Sequence, residues 1–347
     1  MTDPAQVTVE KRGSDFSELA RRVRREGLLR RRIGYYAVRI GVNVAMLAVG
    51  VAAFVMLGDS WWQLFTAAYL ALVFTQFAFI GHDAGHRQIM TTRRGNDIIG
   101  YIHSATVGIS YEWWVGKHTR HHTSPNHEGV DPDIDIPALA FNVEQAEVKT
   151  GVFRWITKYQ ALLFLPLLMT QAIMLKVAGI DAVIRRDVEN VRREALIMIG
   201  HVVIYLAAVF VVLSPGLGAL FILVHQGLMG IYLGMSFAPN HKGMPIIAAE
   251  EKIDFLRRQV LTSRNIAGTK FVDYMLGGLN YQIEHHLFPA MPRANLRRAQ
   301  PIIRGFCAER EIPYTSCSAL ESYLWVLRHL HEVGEGLRRP TQARLAN

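Results

Sequence analysis

The chain has 347 residues, half of them hydrophobic, and a formal net charge of +9. Its mean hydropathy of +0.15 averages long apolar blocks with Arg-rich blocks, a texture that excludes an ordinary soluble core. The charge would suit nucleic acid, but no zinc-finger, helix-turn-helix or RNA-binding signature accompanies it, and the basic runs border apolar segments.

Residues 1–33 are polar and then dense in arginine (Arg21, Arg22, Arg24, Arg25, Arg30, Arg31, Arg32). They lack a short apolar core with a small-residue cleavage site, so no signal peptide is read. Five apolar segments follow: about Ile40 to Leu57, Trp61 to Ile80, Ala161 to Val177, Ala195 to Leu213 and Leu217 to Phe237. A spanning helix needs about 17–25 residues, and the first, second, fourth and fifth segments qualify. The turns Gly58-Asp59-Ser60 and Ser214-Pro215-Gly216 carry no Lys or Arg. The opposite ends carry the N-terminal arginines, Arg93-Arg94, Arg185-Arg186, Arg192-Arg193 and Arg257-Arg258. The positive-inside rule then predicts two helical hairpins in the cell membrane, with both termini cytoplasmic. The third segment contains Pro166 and, if it crossed, would part histidine clusters that share a site. It is expected to lie in the interface or dip into one leaflet. The fold class is all-α integral membrane protein: four transmembrane helices, an interfacial helix and a cytoplasmic helical cap holding a metal site. A basic segment 1–33, a membrane domain 34–330 and a polar tail 331–347 divide the chain.

Eight histidines gather where the apolar segments end. His82 and His86 are four apart, one face of a continuing helix. His118, His121 and His122 place His118 beside both partners, while the adjacent pair diverges. Gln282, His285 and His286 repeat that spacing, and His241 stands alone. Imidazole suits iron, zinc, copper and nickel. Eight such donors exceed one zinc site, which takes three or four ligands, and suffice for two metals. Asp83 and Glu284 sit inside the clusters but point differently on a helix, as acceptors that orient imidazole N–H groups. Asn240, beside His241, joins them as a supporting residue.

His82-Asp-Ala-Gly-His86, His118-Thr-Arg-His121-His122 and Gln282-Ile-Glu-His285-His286 resemble the three histidine boxes of the membrane fatty acid desaturases. The resemblance covers about residues 35–330. A third box opening with glutamine is similar to the front-end desaturases and to related bacterial acyl desaturases. The resemblance implies a cytoplasmic site of two iron ions and oxygen-dependent insertion of a cis double bond into an acyl chain, carried on coenzyme A or a lipid. His241 resembles the additional histidine ligand outside the boxes. Gln282 departs from the all-histidine box; its amide oxygen either ligates iron or holds a water ligand.

Abstracting hydrogen from an unactivated methylene needs a high-valent metal–oxygen oxidant, and two irons share the electron demand. No dinucleotide fingerprint, iron–sulfur cysteine set or fused haem motif is present. Electrons therefore come from a separate ferredoxin-, rubredoxin- or cytochrome-type protein with its reductase. Arg257, Arg258, Arg264, Lys270, Arg293, Arg297 and Arg298 are candidates to dock it, to hold substrate phosphates or to anchor anionic lipid. Two other functions compete: a hydroxylase or ketolase of the same architecture, and a membrane zinc hydrolase, which would need a His-Glu-x-x-His glutamate that this chain lacks.

The remaining histidines take plainer roles. His103 and His127 are minor candidates as ligands or supports. His201 and His225 fall inside apolar segments and are expected to be neutral and bonded to neighbouring helices. His329 and His331 are expected at the surface. Trp113 and Trp114 suit an acyl tunnel or an interfacial belt equally. Asp131, Asp133 and Asp135 resemble a calcium loop only weakly and read as loop or capping residues. Cys307 and Cys317 match no zinc or redox spacing and read as free thiols.

Overall fold

The computed structural model describes residues 14–338. Residues 1–13 of the basic segment and 339–347 of the tail lie outside the described residues. The elements in order are α1 (Asp15–Arg25), α2 (Ile33–Leu57), α3 (Gln63–Gly85), α4 (Arg93–Val107), α5 (Tyr111–Thr123), α6 (Val143–Glu147), α7 (Gly151–Lys158), α8 (Phe164–Arg185), α9 (Val191–Val212), α10 (Pro215–His241), α11 (Phe255–Leu261), β1 (Asn265–Ile266), α12 (Lys270–Met275), α13 (Gln282–Leu287), α14 (Arg293–Glu309), β2 (Ser316–Cys317), α15 (Ala319–Val333) and α16 (Glu335–Arg338). The one sheet among the described residues is the two-residue parallel pair β1–β2.

Five of these helices are long and apolar enough to cross a membrane: α2, α3, α8, α9 and α10. Each of the four apolar runs expected to span is a helix here, a few residues longer than the run. α3 and α10 form the inner pair, while α2 and α9 present exposed Val49, Val55, Leu196, Ile204 and Val211 outward, as lipid contact requires. The far turns meet: the Ser214 backbone N–H donates to Asp59 Oδ1 at 2.8 Å and its hydroxyl at 3.0 Å.

The third apolar segment is helical, as an interfacial helix would be, and Pro166 does not interrupt it. It is a continuous 22-residue helix, α8. Pro166 stands in its first turn, where no intrahelical N–H bond is lost, so the proline marks the start of the helix and does not break it. α8 lies tightly on α10 because α10 is glycine-rich there. A Cβ on Gly230 would fall 2.5 Å from the Leu168 carbonyl oxygen, and one on Gly234 would fall 2.4 Å from the Leu168 side chain. This is small-residue packing of membrane helices. Both ends of α8 are tied to one side of the protein. Phe164 packs with Val326 and Leu330 of α15. Gly179 sits against Ser110, at the start of α5, where Glu194 of α9 accepts from the Tyr111 and Glu112 N–H groups at 3.2 and 3.1 Å. The 22 residues of α9 separate that point by about 33 Å from the Asp59–Ser214 contact.

Outside the long apolar helices, α1, α11, α13 and α14 pack together around Leu19, Val23, Leu256, Ile283, Leu296, Ile303 and Phe306. The N-terminal basic segment is therefore not separate: α1 is amphipathic and buries Leu19 and Val23 against α14. The expected boundary at residue 330 falls inside α15, and Leu337 beyond it is buried with Ala140 and Val333. α4, a 15-residue amphipathic helix N-capped by Thr92, was not legible as an apolar segment.

Candidate metal centre

Four elements converge. α3 ends with His82 in its last turn and His86 as its C-cap. α5, N-capped by the Ser110 hydroxyl, carries His118, His121 and His122. α10 ends at His241, inside the helix and not after it. α13 is six residues long and supplies Gln282, His285 and His286, all buried. The ligand atoms of His82, His86, His118 and His285 lie within 4.8 Å of one another, and those of His121, His241 and His286 form a second such group. His122 joins the two. Its Nε2 is 3.1 Å from His118 Nε2, and its ring stacks on His286 at 4.1 Å.

The tautomers follow from the outer hydrogen bonds. His241 Nδ1 lies 2.9 Å from the Thr262 carbonyl, and His286 Nδ1 lies 3.0 Å from Gln259 Oε1. Gln259 is itself oriented, because its Nε2 donates to the His122 carbonyl at 3.1 Å. Both Nδ1 atoms must donate, so both Nε2 atoms carry lone pairs, and they face each other at 3.0 Å. Two facing imidazole acceptors in that arrangement suit a shared cation. In the other group His82 Nε2, His86 Nε2 and both nitrogens of His285 are buried without a partner among the described residues. Such orphans are rare in native interiors. Burial first, then the neighbouring imidazoles, hold His118, His122, His285 and His286 well below the ordinary imidazole value. They are neutral, the form that binds metal. The donor set fits two nitrogen-ligated metal ions.

Of the expected supports, Asp83 is in place: Oδ1 is 3.1 Å from His82 Nδ1, and Oδ2 pairs with Arg293 at 2.8 Å. Glu284 is not. It turns away from the imidazoles to accept from Asn265 Nδ2 and the Tyr314 hydroxyl, both at 2.6 Å. Burial pushes its carboxyl up to about 7. Asn240 donates to the Ser236 and Leu279 carbonyls and to Gln282 Oε1, each at 3.1 Å. The two Asn240 N–H groups are shared among these three acceptors, which ties the Gln282 amide oxygen to the backbone of α10 and Leu279. The amide oxygen expected to face the metal is spent on Asn240, and the Gln282 NH₂ lies 2.8 Å from His241 Nε2. Gln282 therefore presents a donor to the site.

Two supports were missed. Asp131, read as a loop residue, accepts from His121 Nδ1 at 3.0 Å and also from the Asn126 backbone at 2.7 Å. Its signal was an acidic residue one short loop after the second box. Gln259 carries no sequence signal, since α11 reaches the site only through the fold.

An apolar cavity of about 170 Å3 opens beside His82, His118, His241 and Gln282. Phe164, Leu168, Gln171 and Leu175, one stripe of α8, form its outer wall. Trp114 lines it and stacks on His118 at 4.5 Å, so it belongs to the cavity; Trp113 packs in the membrane core.

The other histidines stay apart from both groups. His127 bonds the Glu128 carbonyl at 3.1 Å. His201 Nδ1 meets the Ala105 carbonyl at 3.0 Å, and His225 meets the Tyr205 hydroxyl at 2.8 Å, the interhelical bonds expected of them. His331 is exposed, but His329 is half-buried and packs near Gly243. Asp133 pairs with Lys117, and Asp135 is exposed. The candidate docking arginines mostly dissolve. Arg264 and Arg293 are buried, Arg257 pairs with Asp15 and Asp254, and Arg297 pairs with Asp273. Cys307 and Cys317 are free and buried.

A sequence model of the fatty acid desaturase family matches residues 59–318, which includes all three boxes. The chain belongs to the fatty acid desaturase family. It is 31% identical over 333 residues to an acyl-lipid (9-3)-desaturase of Physcomitrium patens, covering 92% of this chain and 63% of that protein. It is 29% identical to a delta-8 fatty acid desaturase of Helianthus annuus, covering 91% and 72% of the two chains. A delta-6 fatty acid desaturase of Caenorhabditis elegans is 28% identical, with 93% and 75% covered. The chain thus spans just under two thirds of the Physcomitrium desaturase.

Proposed function

We propose that this protein is an oxygen-dependent fatty acyl desaturase that introduces a cis double bond into a coenzyme A- or lipid-linked chain at a di-iron centre. The observation that carries the reading is the double group of neutral histidines opening on an apolar cavity walled by membrane helices. Dioxygen takes two hydrogens from the acyl chain, two electrons from an external donor protein and two protons, and leaves as two waters. His82, His86, His118, His121, His122, His241, His285 and His286 would hold two iron ions, which supply the oxidising power an unactivated methylene demands. The chain's own contribution is placement. The α8 stripe and Trp114 hold the acyl chain and exclude water. Asp83, Asp131, Gln259 and the Thr262 carbonyl keep the imidazoles turned inward. Gln282 aims an N–H donor at the same space.

A zinc hydrolase needs a glutamate base at the metal, and Glu284 is committed to Tyr314 and Asn265. A hydroxylase or ketolase would share this geometry. The test is incubation of expressed membranes with saturated and monounsaturated acyl substrates, followed by mass analysis, with metal analysis of the purified protein. Products lighter by two hydrogens and about two irons per chain are expected. Products heavier by one oxygen, or a single zinc, would replace the proposal. The electron donor would meet exposed arginines of the cap, among them Arg24, Arg25, Arg30 and Arg298.

We place both termini and all boxes on the cytoplasmic side, with α8 lying across one leaflet, because both its ends are tied to the histidine-bearing side. Single cysteines near residues 125 and 290 are expected to resist a membrane-impermeant reagent in intact cells. Labelling at 125 with protection at 290 would make α8 a span and overturn this topology.

Gln282→His restores an all-histidine third box. Imidazole cannot both accept from Asn240 and donate toward His241 in the amide's geometry, and a shift of about 1 Å in such a site costs on the order of 100-fold in rate. The variant is expected to keep its iron and turn over more slowly. Wild-type turnover would show that position 282 needs only some polar group.

A further inference from the structure

A second, smaller cavity of about 60 Å3 lies among α3, α4, α5, α8 and α10 and shares His82, Trp114, Leu175 and Phe237 with the larger one. Its walls are mostly apolar, but besides His82 three polar groups line it: His103, Ser104 and Tyr111. His103 is only 3% exposed. Its Nδ1 is 2.7 Å from the Ile99 carbonyl. A carbonyl only accepts, so Nδ1 carries the proton and Nε2 is a bare acceptor. That Nε2 is buried and has no partner among the described residues. A buried acceptor without a donor costs about 1–3 kcal/mol, and the methyl end of an acyl chain would not relieve it. Water would. The space admits a few molecules, since one needs about 10–15 Å3. Ser104 and Tyr111 already donate elsewhere, to the Ile109 carbonyl and to Asp97, and so can accept from water as His103 does.

The cavity also has a polar link outward. The Tyr111 hydroxyl donates to Asp97 at 3.2 Å, and the Asp97 side chain is 32% exposed. Gly100 makes the link possible: a Cβ there would fall 2.3 Å from the Tyr111 ring, so only glycine lets the tyrosine lie across α4. Asp97, Tyr111, the cavity with His103, and His82 thus form a series from the half-exposed end of α4 to the metal groups.

We propose that this cavity is a water site that delivers protons to the metal centre, with His103 as the positioning residue for its water. The idea rests on the desaturase reading, in which two protons are consumed for each dioxygen reduced to two waters. The electrons come from the external donor and the two remaining hydrogens from the acyl chain. The protons pass along water from the Asp97 end, and the His103 lone pair turns a water O–H away from the apolar wall.

The test compares wild type, His103→Leu and His103→Gln, whose amide oxygen can replace the acceptor. In X-ray radiolytic labelling of the intact protein, internal water should oxidise the buried Tyr111 in wild type and His103→Gln, and several-fold less in His103→Leu. In turnover, His103→Leu should lose on the order of 10-fold to 100-fold, leak peroxide per electron pair and show a larger solvent deuterium isotope effect, with iron content and chain-length preference unchanged. His103→Gln should restore coupling. An unlabelled Tyr111 in wild type overturns the proposal without any variant. A changed chain-length preference in His103→Leu, with an unchanged isotope effect, would assign the cavity to the acyl tail. Absence of any desaturated product from wild type would instead sink the desaturase reading, and the labelling result would still decide whether the cavity holds water.

Discussion

Alanine at His118, His122, His285 or His286 is expected to abolish desaturation and lower the iron content of the purified protein. His122 sits at the junction of the two histidine groups, and the other three residues belong to one group or the other. His118 and His285 belong to one group, and His122 touches both through His118 and His286. Loss of a residue that merely orients a ligand costs 10- to 100-fold in metal affinity or activity, and loss of a ligand should cost more. Metal analysis and product analysis on the same preparations check the expectation. Full activity in two of the four variants would remove the metal assignment. His225→Ala is the control. His225 bonds Tyr205 within the membrane, far along α10 from His241, and its loss should leave the iron content near wild type.

The fold was legible where periodicity and length speak plainly. α2, α3, α9 and α10 each come from an unbroken apolar run, and the arginine-free turns at Asp59 and Ser214 do lie together. In α8 only the effect of Pro166 was misread, because a proline inside an apolar run looks like a break. Where the helix begins decides that question, and the start at Phe164 places Pro166 where it does no harm. α4 carried no long apolar run, because only one of its faces is buried.

The site shows the same division. The box histidines were legible because i, i+3 and i+4 spacing puts them on one helical face without any knowledge of tertiary structure. The residues that turn them were not. Asp83 and Glu284 occupy similar places within their boxes. One reaches an imidazole and the other reaches Tyr314, thirty residues along the chain. Gln259 and Thr262 come from α11 and its end, and nothing near them in sequence suggests a metal. Gln282 was legible as a departure, but its orientation depends on Asn240, whose N–H groups are shared with two backbone carbonyls.

Arg293→Met is expected to destabilise the protein by about 3–5 kcal/mol, the usual cost of removing one member of a buried ion pair. Arg293 and Asp83 are 4% and 2% exposed and 2.8 Å apart. Without the guanidinium, Asp83 keeps the Tyr36 hydroxyl at 3.1 Å and His82 Nδ1 at 3.1 Å, too little to offset a desolvated carboxylate. Arg293 also donates to the Phe79 carbonyl at 2.7 Å, so its loss loosens the joint between α14 and the end of α3. Thermal unfolding in detergent measures the cost, and a change within about 1 kcal/mol would mean that water reaches Asp83 and screens it. The double variant Asp83→Asn with Arg293→Met separates stability from function. Replacing both partners of a buried pair is often neutral, so much of the stability should return. Iron affinity should not, because an amide oxygen is a weaker acceptor for the His82 Nδ1 proton than a carboxylate, and a 10- to 100-fold loss is expected from that change alone. If iron binding recovers together with stability, the pair is only a strut between cap and membrane helices, and His82 is held by its packing against His86 and His285.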